Sequence, residues 1–231
     1  MTATTPTTLK IDFVSDVSCP WCAIGLHALE QAAGRLQGDV ALDLHFQPFE
    51  LNPQMGPEGQ DIAEHLFEKY GATPEQSQAN RDAITARGAA LGFTFNMGQR
   101  GRIYNTFDAH RLLHWAGEEG AAGQQAALKH ALFEAYFTHG QNPGSHEVLL
   151  RLAQQVGLDG ERARAVLASH EYADAVREQE AFYQQHGIHS VPAVIVNGRH
   201  LIQGGQPVDV FEQALRQIAG QAGGGSSSAA A

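Results

Sequence analysis

Thiols are scarce in this sequence: 231 residues hold two cysteines, Cys19 and Cys22. A disulfide framework is excluded, and a bridge closing so short a loop would stabilise little, because the gain grows with the length of chain constrained. Lys and Arg number 15 against 25 Asp and Glu, a net charge of -10, and they form no run. The electrostatic footprint of a nucleic-acid binder is therefore missing. Long hydrophobic runs are absent too; a stretch such as PAVIV at 192–196 is far too short to cross a bilayer. The opening MTATTPTTLKIDF has neither the basic nor the apolar segment of a secretory signal. A cytoplasmic protein without membrane attachment is expected, in a compartment that keeps thiols reduced. The closing GQAGGGSSSAAA reads as a flexible low-complexity tail, 220–231.

What is present has a clear order. LKIDFVSDV alternates apolar and polar residues at Leu9, Ile11 and Phe13, which is strand periodicity. After Cys19 the period becomes helical, through Leu26, Leu29, Ala33 and Leu36, with Pro20 just inside the start, where its missing N–H costs nothing. VALDLHFQPF alternates again. Between about 55 and 186 only helical patterns occur, among them a capping box at Thr73–Gln76 and helix starts at Asn142-Pro143, Asp159-Gly160 and Ser169. Strands return in VPAVIVNGRHLIQGG, where Asn197-Gly198 is a strong hairpin signal, and PVDVFEQALRQIAG closes as a helix. The expected architecture is α/β: a β-α-β … β-β-α domain from 9–58 and 187–219, with an all-helical domain, 59–186, inserted between its halves.

Two thiols within one helical turn point to chemistry. A helix N-terminus offers free N–H groups and about half a positive charge, so the thiolate of Cys19 is favoured; helix-terminal thiols of this kind fall at pKa ~3.5–7.5. Cys19 is then the nucleophile, and Cys22, one turn on, resolves the mixed disulfide. Pro20 and Trp21 carry no charge and Asp16 opposes the thiolate, so the depression is expected to be moderate.

Three motifs in this order, SDVSCPWCAIG, YNTFDAHRLLHWA and SVPAVIVNGRHLIQGGQPVDVFEQAL, resemble the DsbA-like branch of the thioredoxin fold, and within it the FrnE-like thiol oxidoreductases of bacteria. The likeness spans nearly all of residues 9–219. It implies a redox pair at Cys19 and Cys22 and a cis-proline loop at Val191 and Pro192. That loop would offer its backbone to substrate, with Pro20 and Trp21 beside it. Some relatives bear a second cysteine pair near the C-terminus; this chain does not. Substrates would be protein or small-molecule disulfides and dithiols. No organic cofactor is required, glutathione is a candidate redox co-substrate, and a homodimer is compatible with the reading.

Other readings stay in view. CxxC supplies half a zinc site, and His110 and His114 at i, i+4 could complete four ligands; the helix start and the lack of a second CxxC favour redox and no metal. His110, on the apolar stripe of its helix, reads first as a core histidine and second as a group lining the cleft beside Cys19. Asn105 and Arg111 are taken the same way. The same fold houses kappa-class glutathione transferases and 2-hydroxychromene-2-carboxylate isomerases, which usually carry a serine where Cys19 stands. A third reading is a peptide-binding holdase whose thiols are incidental.

Overall fold

Strand β1 (Thr7–Ser15) runs through the interior of a four-stranded sheet, and every residue from Ile11 to Ser15 is buried. The computed structural model describes residues 5–224. β1 pairs in parallel with β2 (Val40–Pro48) and antiparallel with β5 (Ala193–Val196), and β5 pairs antiparallel with β6 (His200–Gln203), giving the order β2-β1-β5-β6. Side chains alternate along β1, so its two faces feed two clusters. Leu9, Ile11 and Phe13 pack with Leu26 and Leu29 of α1 (Pro20–Arg35) and with Phe211 and Leu215 of α9 (Val208–Gly224). Val14 faces the other way, among Phe49, Tyr183, Ile188 and Ala193. Helices on both faces explain why a central strand tolerates so little exposure. The hairpin forms where Asn197-Gly198 places it: both residues take positive φ, 52° and 65°. Asn197 also locks onto β1, its N–H donating to the Lys10 carbonyl at 2.8 Å and its Oδ1 accepting from the Lys10 N–H at 3.0 Å.

Between β2 and β5 come α2 (Ile62–Tyr70), α3 (Pro74–Ala90), α4 (Phe107–Glu119), α5 (Gln124–Phe133), α6 (His146–Gln155), α7 (Gly160–Ala168) and α8 (Ala173–Gln185). α4 to α7 share a core of Leu112, Leu128, Leu132, Leu149, Leu152 and Val166, and Val17 reaches into it from the turn after β1. The cysteine turn therefore stands where two cores meet. The β-α-β … β-β-α order with helices between the halves is the thioredoxin fold that the resemblance implies.

The structure differs from the sequence reading in four places. The insertion is not wholly helical: β3 (Gln60–Asp61) and β4 (Arg102–Ile103) pair antiparallel, strands too short to show a period. α5 runs on into a π-helical turn, Glu134–Thr138. Thr73 and Asp159 cap helices, with the Thr73 box complete and Asp159 accepting from the N–H groups of Glu161 and Arg162; Asn142 instead folds a turn onto Gly144, α6 starting after Ser145, and Ser169 ends α7. Finally, α9 continues to Gly224, past the expected tail boundary at 220, while 225–231 lie outside the described residues. Among the described residues no helix is long and apolar enough to cross a membrane.

Candidate active site

Cys19 is the N-cap residue of α1, with Pro20 in the first turn. Its carbonyl accepts from the N–H groups of Cys22 (3.1 Å) and Ala23 (3.4 Å). A proline at the first helical position fixes φ without sacrificing a needed donor, so the helix begins abruptly at the thiol. The turn is braced from below by Asp16, a buried carboxylate whose Oδ1 accepts from the Ser18 N–H at 3.0 Å and whose Oδ2 accepts from the Leu51 N–H at 2.7 Å. Burial works against ionising Asp16, but His110 and these two N–H groups outweigh it and hold the carboxyl below its ordinary range.

The two thiols are driven apart. The neighbouring Cys22 thiol lowers the Cys19 pKa, against the effects of burial and the Asp16 charge; the backbone N–H groups of Cys22 and Trp21 act in the same lowering sense. Cys22 is raised well above an ordinary cysteine, first by burial and then by Cys19 itself, with Lys129 pulling the other way. Cys19 is 4% exposed and Cys22 0%.

Glycine lets the other half of the site approach. A Cβ on Gly25 would stand 3.0 Å from Cγ of Pro192 and 3.4 Å from Cα of Gly205; one on Gly205 would stand 2.8 Å from the Trp21 carbonyl oxygen. Both glycines thus allow the Pro192 loop and the turn after β6 to lie directly on α1. The Val191-Pro192 bond is cis. The Val191 carbonyl oxygen lies 3.8 Å from Cys19 Sγ, and the Pro192 carbonyl accepts from the Gly204 N–H at 2.8 Å.

Above Cys19 opens a cavity of about 780 Å³. Cys19, Pro20, Trp21 and Val191 line one side; α2 and α3 supply the facing wall through Leu66, Tyr70 and Ile84. Arg87 of α3 lies over the Trp21 ring, 5.1 Å from its centroid. Pro192 is buried behind this lining, against Gly25.

His110, Asn105 and Arg111, read first as core residues and second as cleft residues, do not line this cavity. His110 is buried beneath the turn, Nε2 3.7 Å from Asp16 Oδ1, too long for a hydrogen bond. Asn105 ties the start of α4 to a loop, donating to the Met55 carbonyl (3.2 Å) and accepting from the Phe107 N–H (2.9 Å). Arg111 is a buried staple: it donates to the carbonyls of Val166 and Ser169 at 2.6 Å and of Glu171 at 2.9 Å, and pairs with Asp108 at 2.8 Å. The Ser169 and Glu171 carbonyls lie beyond the end of α7, where the helix supplies no donor; the Val166 carbonyl also accepts from the Ser169 N–H, at 3.4 Å. Arg111→Met should therefore cost about 1–3 kcal/mol in urea unfolding, because it removes charged hydrogen bonds to three carbonyls and leaves Asp108 with His146 alone. The thiol reactivity of the folded fraction should not change; a loss of reactivity at full folding would return Arg111 to the site.

Sequence reasoning missed the polar lining: Glu50, His65, Lys69, Arg81 and Arg100 also face the cavity. They come from separate elements, and no motif groups them. His114, the other formal zinc ligand, packs at a tilt against the Tyr172 ring instead, with centroids 5.2 Å apart. Among the described residues no cluster of three or more His, Cys, Asp or Glu could hold a metal.

Residues 10–216 match the family described as DSBA-like thioredoxin domain. The uncharacterised protein YwbO of Bacillus subtilis (strain 168) is 30% identical over 210 residues, 90% of this chain and 96% of that one. Among solved structures, the probable DsbA oxidoreductase SCO1869 from Streptomyces coelicolor is 35% identical, with a TM-score of 0.82 over 92% of this chain and 91% of its own. A 2-hydroxychromene-2-carboxylate isomerase (TM-score 0.67, 17% identity, 94% and 100% covered) and the cytosolic disulfide reductase DsbM of Pseudomonas aeruginosa with GSH (0.60, 17%, 90% and 98%) share the fold. A family match across nearly the whole chain, with a paired-thiol turn at the head of α1, makes this chain a member of the DSBA-like thioredoxin domain family.

Proposed function

We propose that the protein is a cytosolic, FrnE-like thiol–disulfide oxidoreductase in which Cys19 attacks and Cys22 resolves. The observation that carries this reading is the asymmetry of the pair: Cys19 heads a helix and lines a cavity with its pKa lowered, while Cys22 is closed off one turn behind with its pKa raised. The Cys19 thiolate attacks a substrate disulfide, forms a mixed disulfide and expels the first thiolate. Cys22 then loses its proton and attacks the Cys19 sulfur, releasing the second thiolate and leaving a Cys19–Cys22 disulfide. Two electrons pass to the substrate, the released thiolates take up two protons, and an external thiol such as glutathione re-reduces the pair. Val191 would present its backbone beside the reacting sulfur, with Pro20, Trp21 and Pro192 shaping the cleft floor.

The test is turnover of insulin and of a small disulfide with dithiothreitol as reductant, together with the reduction potential of the pair. The wild type should accelerate at least one of the two reductions, and the Cys19→Ser, Cys22→Ser double variant neither. Retention of wild-type rates by that variant would overturn the redox reading in favour of a holdase or a glutathione-dependent isomerase.

A further inference from the structure

The cavity above Cys19 has a sign opposite to that of the chain. The whole sequence carries a net charge of -10. Yet three of the four Lys, Arg, Asp and Glu side chains lining the cavity are cations, Lys69, Arg81 and Arg100, and the one acid is Glu50. Glu50 is already bound by Arg177, at the back of the cavity wall.

The three cations are not equivalent. Lys69 spends its ammonium on the Leu51 carbonyl and Asn52 Oδ1, both at 2.7 Å. Arg81 donates to Gln78 Oε1, at 2.8 Å from Nη2. Arg100 is only 8% exposed, and its Nε and Nη1 have no hydrogen-bond partner. No carboxylate pairs with it among the described residues. What holds it is aromatic: its guanidinium carbon lies 5.1 Å from the Tyr136 ring centroid and 5.3 Å from that of Phe137. The π-helical turn at the end of α5 carries these two adjacent rings, 4.9 Å apart. Turns of this kind often mark functional sites. A guanidinium set against rings spends no acceptor on them, so its N–H donors remain available to a planar anion that enters beside it.

A buried cation with unpaired donors is costly to keep unless something supplies the partner. We propose that Arg100 is the anion-binding residue of this cleft, taking the carboxylate of a small thiol or disulfide whose sulfur reaches Cys19. The proposal rests on the oxidoreductase reading and names its substrate class. The cavity, about 780 Å³ with Leu66, Ile84 and Ile103 in its wall, has the size and the mostly apolar character of a small-ligand site. With Cys19 4% exposed at its floor, a slender ligand reaches the sulfur more readily than a disulfide fixed in a folded protein.

The experiment compares two disulfides of similar size, 3,3′-dithiodipropionate, which carries two carboxylates, and the uncharged 2-hydroxyethyl disulfide. Arg100→Met should raise KM for the dianion by about tenfold or more, the loss of a charge-assisted pair, and leave KM for the neutral compound within about twofold, a difference smaller than one hydrogen bond is worth. Arg100→Lys should restore part of the difference. Equal losses on both substrates, or a wild type that does not prefer the dianion, would overturn the proposal. A second measurement needs no turnover: glutarate, but not 1,5-pentanediol, should bind the Cys19→Ser, Cys22→Ser protein by calorimetry, and adding Arg100→Met should abolish that binding. Failure of wild type on both disulfides would count against the oxidoreductase reading alone, and the calorimetry would then decide for or against Arg100.

Discussion

Cys19→Ser should reduce disulfide exchange by roughly a thousandfold or more, the scale of removing an essential nucleophile, while Cys22→Ser should leave attack intact and stop the cycle at the mixed disulfide. The difference follows from where each sulfur stands. Cys19 faces the cavity at the start of α1, with the Cys22 thiol and two backbone N–H groups favouring its thiolate. Cys22 is fully buried and held protonated by that burial, so it becomes a nucleophile only toward the neighbour one turn away. Limiting iodoacetamide should therefore label Cys19 first, with a rate that titrates below the ordinary cysteine range. Mass spectrometry of Cys22→Ser after exposure to a disulfide should show one adduct, on Cys19. Prior labelling of Cys22, or an adduct-free Cys22→Ser protein, would reverse the roles.

The cysteine turn was legible because its signals are local. A strand period, a proline at the first helical position and two thiols one turn apart all lie within residues 9–36. The closing hairpin was legible for the same reason, since Asn197-Gly198 states its turn geometry in two letters. The cavity was not. α3 buries few residues, Ser77, Ile84 and Gly88 among them, so its sequence shows polar surface and no hint that it forms a wall. Arg111 was legible in kind but not in its partners: the structural reading holds, but the groups it binds, at 166, 169 and 171, are more than fifty residues away in sequence and carry no signal, because they are carbonyls. Lys129 was hidden by periodicity. Leu128 and Leu132 define an apolar face on α5, and Lys129 falls beside it. A helix packed against β2, α4 and α6 together buries that flank as well.

Lys129→Met is expected to make the protein more stable and its redox cycle slower. Lys129 is 0% exposed, and its Nζ has no hydrogen-bond partner. It lies over the rings of Phe133 (5.0 Å) and Phe46 (5.9 Å) in the cluster that also holds Cys22. Burial pushes its pKa down to about 8 from 10.5, against the pull of Cys22, Asp16 and Cys19. That shift sets the sign. A base with a depressed folded pKa destabilises the fold fully where both states are charged, below about pH 8; the penalty shrinks as pH rises toward 10.5, and above that it is gone. At neutral pH it is worth about 3 kcal/mol, of which the two cation–π contacts return about 1. Methionine matches the lysine stem in volume and needs no partner. The variant should thus gain about 2 kcal/mol in urea unfolding of the reduced protein at pH 7, and the gain should fade by pH 10.5. Function should move the other way, because the Lys129 charge is the larger of the two effects that oppose the rise in the Cys22 pKa, the Asp16 backbone being the other. Without it Cys22 gives up its proton less readily, so release of substrate from the Cys19 mixed disulfide should slow while attack by Cys19 is little affected. A variant that is less stable at pH 7, or as fast in resolution as wild type, would show that the ammonium serves packing rather than the thiol pair. The expected pairing of higher stability with slower resolution would explain why so costly a charge is kept beneath Cys22.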